Sequence, residues 1–99
     1  MSVPSGGAWD ELMTLVDHVA AGRAHLPSPD TLEDLVARGQ AERTIDTELH
    51  PADTARWIVG LLAGHGHLRH HLTTGADASR DADDLRLILT RWLHPARPR

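Results

Sequence analysis

The sequence predicts an all-α fold, a helical bundle of about four helices. Three observations point there. Apolar residues recur at i, i+3, i+4 spacing in four separate segments. Sustained alternation and β-branched clusters, the marks of strands, are nearly absent. Proline, glycine and small polar residues sit where those segments start and stop. A chain of 99 residues suits one domain with a modest core. With three Trp and no Phe or Tyr, that core must be built mainly from Leu, Val, Ile and Ala.

The first helix is expected over roughly residues 7–25. Trp9, Leu12, Met13, Val16 and Ala20 form one apolar face, Asp10 and Glu11 suit the dipole of the first turn, and Pro27 ends the segment. The second is expected over roughly 29–43, with Ser28 as N-cap, Pro29 at the first helical position, and Leu32, Leu35 and Val36 as its apolar face with Gly39 in line behind them. Asp30 with Glu33 offers an alternative capping box. Residues 44–50 read as a connector with one large apolar anchor, Ile45.

The third helix, roughly 51–74, starts at Pro51 and has Gly75 suited to the residue past its end. Ile58, Leu61, Leu62, Leu68 and Leu72 lie within about 80° of one another's mean direction on a wheel of 100° per residue. Residues 75–80 read as a loop, with Ser79 or Asp77 capping a last helix over roughly 80–93. There Leu85, Ile88, Leu89 and Trp92 form the stripe, with Asp81, Asp83 and Asp84 at one end and Arg91 near the other. Residues 1–8 and 95–99 read as tails of a domain spanning 9–94. So small a bundle buries little surface, which makes oligomerisation a natural supplement.

Composition narrows the function. Without cysteine, disulfides, thiolate metal sites and cysteine nucleophiles are excluded. No apolar run approaches the roughly 20 residues of a membrane span, and the N-terminus lacks the basic and apolar regions of a secretory signal. No membrane association is expected, and the expected location is cytoplasmic. The net charge is −4, and the arginines are scattered and interleaved with Asp, so no basic stripe marks a phosphate-binding surface. No Ser-His-Asp set, carboxylate pair or Gly-rich phosphate loop has interpretable spacing. The expectation is a protein that is not an enzyme and has no cofactor.

The stretch LVARGQAERTIDTELHPADTARWIVGLLAG carries a helix ending in Gly39-Gln40, a connector anchored by Ile45, a proline start at Pro51, Ala55 and a long helix beyond. It resembles the C-terminal ligand-binding and dimerisation domain of TetR-type transcriptional regulators, and ADDLRLILTRWL resembles that family's last helix; the resemblance covers roughly residues 9–93. It implies a homodimer whose last two helices pair with their mates in a four-helix interface. It also implies a small apolar or amphipathic ligand held between the helices of each protomer. Two features depart from the pattern. His50 stands where the family often has Asp, so the third helix lacks a strong cap unless Asp53 serves. No helix-turn-helix precedes Trp9, so the resemblance implies the sensing half of a regulator, with no DNA binding by this chain itself.

Half of the eight histidines fall in GLLAGHGHLRHHLTTG, residues 60–75. The helical wheel splits them. His65 falls inside the apolar face, either as a polar group of a ligand pocket or as a core histidine satisfied by its neighbours. The expected pocket is lined by Trp9, Met13, Val16, Trp57, Leu61, His65 and Leu68. His67 and His71 share a narrow stripe with Gly60 and Gly64, where small residues allow another helix to approach. The expected dimer interface therefore comprises Gly60, Gly64, His67 and His71 together with Leu85, Ile88, Leu89 and Trp92. His70 points to one side, toward solvent. His67 and His71 also form an i, i+4 pair able to supply two metal ligands, but the Glu of an HExxH motif is missing, so no metal is expected. Two alternative functions remain: a small His-rich helical metal-binding protein, and a modulator that heterodimerises with a full-length regulator.

Overall fold

The first helix, α1 (Ala8–Ala20), closes at the end of its apolar face and well before Pro27, because the chain reverses at Gly22. Gly22 adopts the left-handed conformation at φ 78°, its N–H donates to the Val19 carbonyl at 3.0 Å, and the N–H of Arg23 reaches the His18 carbonyl at 2.8 Å. This is a Schellman closure, and it corrects the expected end near residue 25. The computed structural model describes residues 7–71 and 75–95. Within them the chain forms α1, α2 (Pro29–Ala41), α3 (Pro51–His71) and α4 (Gly75–Leu93), with no strand among the described residues. Leu72, expected on the apolar face of α3, lies outside them.

The start of α2 follows its local chemistry. Ser28 is extended, its hydroxyl accepts from the Thr31 N–H at 3.2 Å, and Pro29 occupies the first turn. The start of α3 is held by the Thr54 N–H donating to the His50 carbonyl at 2.8 Å. Asp53 does not act as a cap there; its carboxylate turns to Arg56 at 2.7 Å and to the His50 imidazole at 3.8 Å.

The last helix begins at Gly75 rather than near residue 80, so Gly75 belongs to α4 and does not terminate α3. Asp77 and Ser79 lie inside α4, past its first residue. The physical reason is that residues 75–80 contain no proline, and Asp77 in the first turn complements the helix dipole, so nothing in GADASR stops the helix upstream.

The core is a single cluster. Its fully buried side chains are Leu12 and Val16 from α1, Leu32 and Val36 from α2, Ile45 from the connector, Ile58 and Leu62 from α3, and Leu89 and Leu93 from α4. Burying a side chain of this size stabilises by about 1.5–3 kcal/mol. α2 and α3 share the most extensive packing, and α1 touches all three other helices. On α4 the buried stripe is Leu85, Leu89 and Leu93; Ile88, expected in that stripe, faces outward and is 52% exposed.

The turn after α2 is the most heavily bonded part of the molecule. Arg43 takes the left-handed position at φ 65°, and the Gly39 carbonyl accepts the N–H groups of Thr44 at 2.9 Å and Ile45 at 3.1 Å. A non-glycine residue costs about 1–2 kcal/mol in that conformation, so the contacts around it must over-determine it. They do. The Gln40 amide donates to the carbonyls of Asp46 at 3.0 Å and Leu49 at 2.6 Å. Ile45 lies directly on Gly39, where an added Cβ would sit 2.4 Å from the Ile45 Cδ1. The Asp46 N–H donates to the Leu93 carbonyl at 2.8 Å, and His94 Nδ1 donates to the Thr44 carbonyl at 2.9 Å. Trp9 stacks on His94 with ring centroids 4.0 Å apart, and Glu42 accepts from the Ala8 N–H at 2.8 Å.

These surroundings set opposite outcomes for glycines of similar local helical character. In Gly39→Ala the clash with Ile45, about 1–3 kcal/mol, exceeds the gain in helix propensity of about 1 kcal/mol, so chemical denaturation should show a net loss. Adding Ile45→Val, which removes the clashing methyl, should recover part of it. At Gly60 and Gly64 an added Cβ meets no atom within 4 Å. Gly60→Ala and Gly64→Ala should therefore each stabilise by about 0.5–1 kcal/mol.

Candidate functional site

The second half of α3 and the first half of α4 leave a groove between them. Two features of α3 open it. Gly60 and Gly64 have no side chains to fill the space, and Leu61 and Leu68 lie about 60–80° from Ile58, at the margin of the buried face. Leu61 is half-buried and Leu68 is 41% exposed, whereas Ile58 and Leu62 are buried. The buried face of α3 is centred instead on Thr54, Ala55, Ile58, Leu62 and His65.

The groove has a volume of about 560 Å³ and is lined by Gly60, Leu61, Gly64, His65, His67 and Leu68 from α3 and by Asp81, Asp84, Leu85 and Ile88 from α4. Its size falls in the range of small-molecule sites. Its surface is mainly apolar, with two carboxylates and no arginine. A second depression, between α1 and α2, is more polar; its Arg38 is already paired with Glu11 and Asp34.

His65 is the unusual member of the groove wall. It is 7% exposed, and its Nε2 is buried without a hydrogen-bond partner among the described residues. A buried polar atom left unpaired costs about 1–3 kcal/mol. The expectation of a core histidine satisfied by a neighbouring group does not hold at that nitrogen.

The groove draws on both sets of residues singled out in the sequence. From the expected pocket it contains Leu61, His65 and Leu68. The other four lie elsewhere: Met13 and Val16 are packed in the core, Trp9 stacks on His94, and Trp57 is 67% exposed on the outside of α3. From the expected interface it contains Gly60, Gly64, His67, Leu85 and Ile88. Leu85 and Leu89 are buried within the protomer, and Trp92 is half-buried against the core. His71 is exposed, with its ring 4.5 Å from that of His67. Among the described residues no three His, Asp or Glu side chains converge as a metal-ligating set.

Sequence reasoning missed Asp81 and Asp84 as lining residues and Leu87 as an exposed apolar group. The spacing held the signal, since 81 and 88 lie one helical turn from Leu85 and 84 lies one turn from Ile88.

Comparison of the chain with family models, curated proteins and solved structures returns no match. Among the described residues no helix is long and apolar enough to cross a membrane.

The state of His65 has a measurable consequence. His65→Leu replaces an unpaired buried nitrogen by an apolar group of comparable size, so it should raise the unfolding free energy by about 1 kcal/mol in chemical denaturation. A destabilised variant would mean that the imidazole makes a bond the core needs.

Proposed function

We propose that this chain is a small-molecule-sensing and dimerisation domain of TetR type, without DNA binding of its own. The observation that carries the reading is the α3–α4 groove, an apolar cleft whose wall includes a buried imidazole nitrogen with no protein partner. A small amphipathic ligand buries its apolar body against Leu61, Leu68, Leu85 and Ile88. A polar group on it would give His65 the hydrogen bond it lacks.

Two further features support the reading. Three of the residues behind the family resemblance, Gly39, Gln40 and Ile45, work together to hold the connector that leads to Pro51 at the start of α3. The apolar side chains left outside the core, Trp57 and Leu68 on α3 and Leu87 and Ile88 on α4, all lie on the last two helices apart from Leu26. The scattered arginines and the net charge of −4 fit a partner other than nucleic acid.

Light scattering should give a native mass of about twice the 10.8 kDa chain. A thermal-shift screen of small amphipathic compounds should find molecules that raise the melting temperature; a ligand at about a hundred times its Kd adds about 2.7 kcal/mol. Gly64→Leu, which fills the groove floor, should abolish that shift. A monomeric mass at millimolar concentration, or ligand shifts unchanged in Gly64→Leu, would defeat the proposal.

A further inference from the structure

We propose that the groove takes an amphipathic cation, a primary amine on an apolar body about 10 Å long, with its ammonium group at the end nearer the α3–α4 turn. The inference rests on the ligand reading above and gives that ligand its head group, its length and its orientation.

The groove carries its charged groups at one end. α3 ends at His71, α4 begins at Gly75, and the two helices pack on each other, so they run in opposite directions. Asp81 and Asp84 therefore stand beside His65 and His67 at the end nearer the turn, and Leu85 and Ile88 beside Gly60 and Leu61 at the other. From Asp81 to Ile88 the wall of α4 rises about 10 Å, at about 1.5 Å per residue. An extended octyl chain matches that length.

The lining holds two carboxylates and no arginine. The arginines of the same two helices serve other contacts. Arg69 donates to the Ala20 carbonyl at 2.8 Å, at the end of α1, and Arg86 pairs with Asp17. Among the described residues Asp84 takes part in no ion pair, not even with Arg80 one turn before it. Carboxylates beside an apolar surface attract a cation and repel an anionic head group.

His65 points to the same head group independently. Its imidazole lines the groove and is 7% exposed, and its Nε2 has no partner among the described residues. An unprotonated imidazole nitrogen accepts a hydrogen bond. A primary ammonium has three N–H donors, enough for His65 Nε2 and a carboxylate at once. A hydroxyl has one donor and must leave one of those groups to water. A carboxylate head group could accept from a protonated Nε2 but would face Asp81 and Asp84. With the ammonium at this end, the apolar body lies over Gly60 and Gly64, where an added Cβ meets no atom within 4 Å.

Isothermal titration of the full chain at neutral pH tests this with four probes of octyl length: octylamine, octanol, octanoate and octyltrimethylammonium. Octylamine should bind about tenfold more tightly than octanol, and octanoate should show no binding. Octyltrimethylammonium, which has the charge but no N–H, should bind more weakly than octylamine. Asp84→Asn, at an exposed position, should raise the octylamine Kd about tenfold and leave that of octanol unchanged. His65→Leu should bring octylamine level with octyltrimethylammonium, and Gly64→Leu should abolish binding. If octanol or octanoate binds as tightly as octylamine and Asp84→Asn changes no affinity, the cation assignment falls and the groove stands as a ligand site. If His65→Leu leaves the octylamine Kd unchanged, the ammonium does not reach the imidazole and the orientation falls. If octylamine binds Gly64→Leu as well as it binds the unmodified chain, the cation sits outside the groove and the inference fails. If no probe binds at millimolar concentration, the cation assignment falls, and the ligand reading falls with it when the thermal-shift screen is also empty.

Discussion

The seating of Ile45 on the bare backbone of Gly39 fixes the relation of every helix to the others. A side chain at residue 39 would hold the connector away from α2. With the connector in place, the Gln40 amide clamps the carbonyls of Asp46 and Leu49 just ahead of α3. Asp46 in turn takes the Leu93 carbonyl, one of those that the end of α4 leaves without an intrahelical partner. Thr44 takes His94, and His94 supports Trp9 at the start of α1, where Glu42 accepts the Ala8 N–H. The start of α1, the end of α2, the start of α3 and the end of α4 thus meet at one bonded junction. The groove lies away from it, along residues 60–68 and 81–88.

That separation has an energetic counterpart. The junction end combines buried Ile45 and Leu93 with directional hydrogen bonds, so local opening there costs several interactions together. The groove end is built from terms that lower stability: two open glycines inside a helix, each costing about 1 kcal/mol relative to Ala, and one unpaired buried nitrogen. The exposed ion pairs Arg38–Glu11 and Arg86–Asp17 do not offset this, because pairs of that exposure contribute between nothing and about 1 kcal/mol. Locally unfavourable choices that gather at one place, in a fold otherwise consistent with its sequence, mark the place where stability is traded for something else.

How much of this was legible beforehand depends on how local each cause is. The Ser28-Pro29 start of α2 depends on three adjacent residues, and it was readable. Gly39, Gln40 and Ile45 stood out as a pattern, but their role depends on Leu93 and His94, about fifty residues away, and no local rule supplies that. Gly22 carried its stop signal in plain view, whereas the expected end rests on Pro27. The wheel placed Leu61 and Leu68 at correct angles to Ile58 yet could not say where the neighbouring helices centre the buried face. A buried face centred toward Ala55 and Leu62 leaves both leucines at its margin, in the groove. Of the expected pocket, Met13 and Val16 are packed in the core, Trp9 stacks on His94 and Trp57 is exposed, so these four stand apart from the groove despite sharing wheel directions with its other members.

α4 shows why one apolar stripe can be two. Leu85, Ile88, Leu89 and Trp92 fit a single amphipathic face by spacing, and a helix packed on one side needs no more. Yet the core takes Leu85, Leu89 and Leu93, spaced strictly by four, which is a narrow inward seam. Once Leu93 belongs to the core, the inward direction rotates away from Ile88, which is left exposed at the edge of the groove. The surplus hydrophobicity of α4 is thus a geometric consequence of the junction, because the Asp46–Leu93 bond fixes the helix end and with it the rotation of the whole helix. The contact that assembles the fold at one end therefore also sets which side chains α4 presents to the outside.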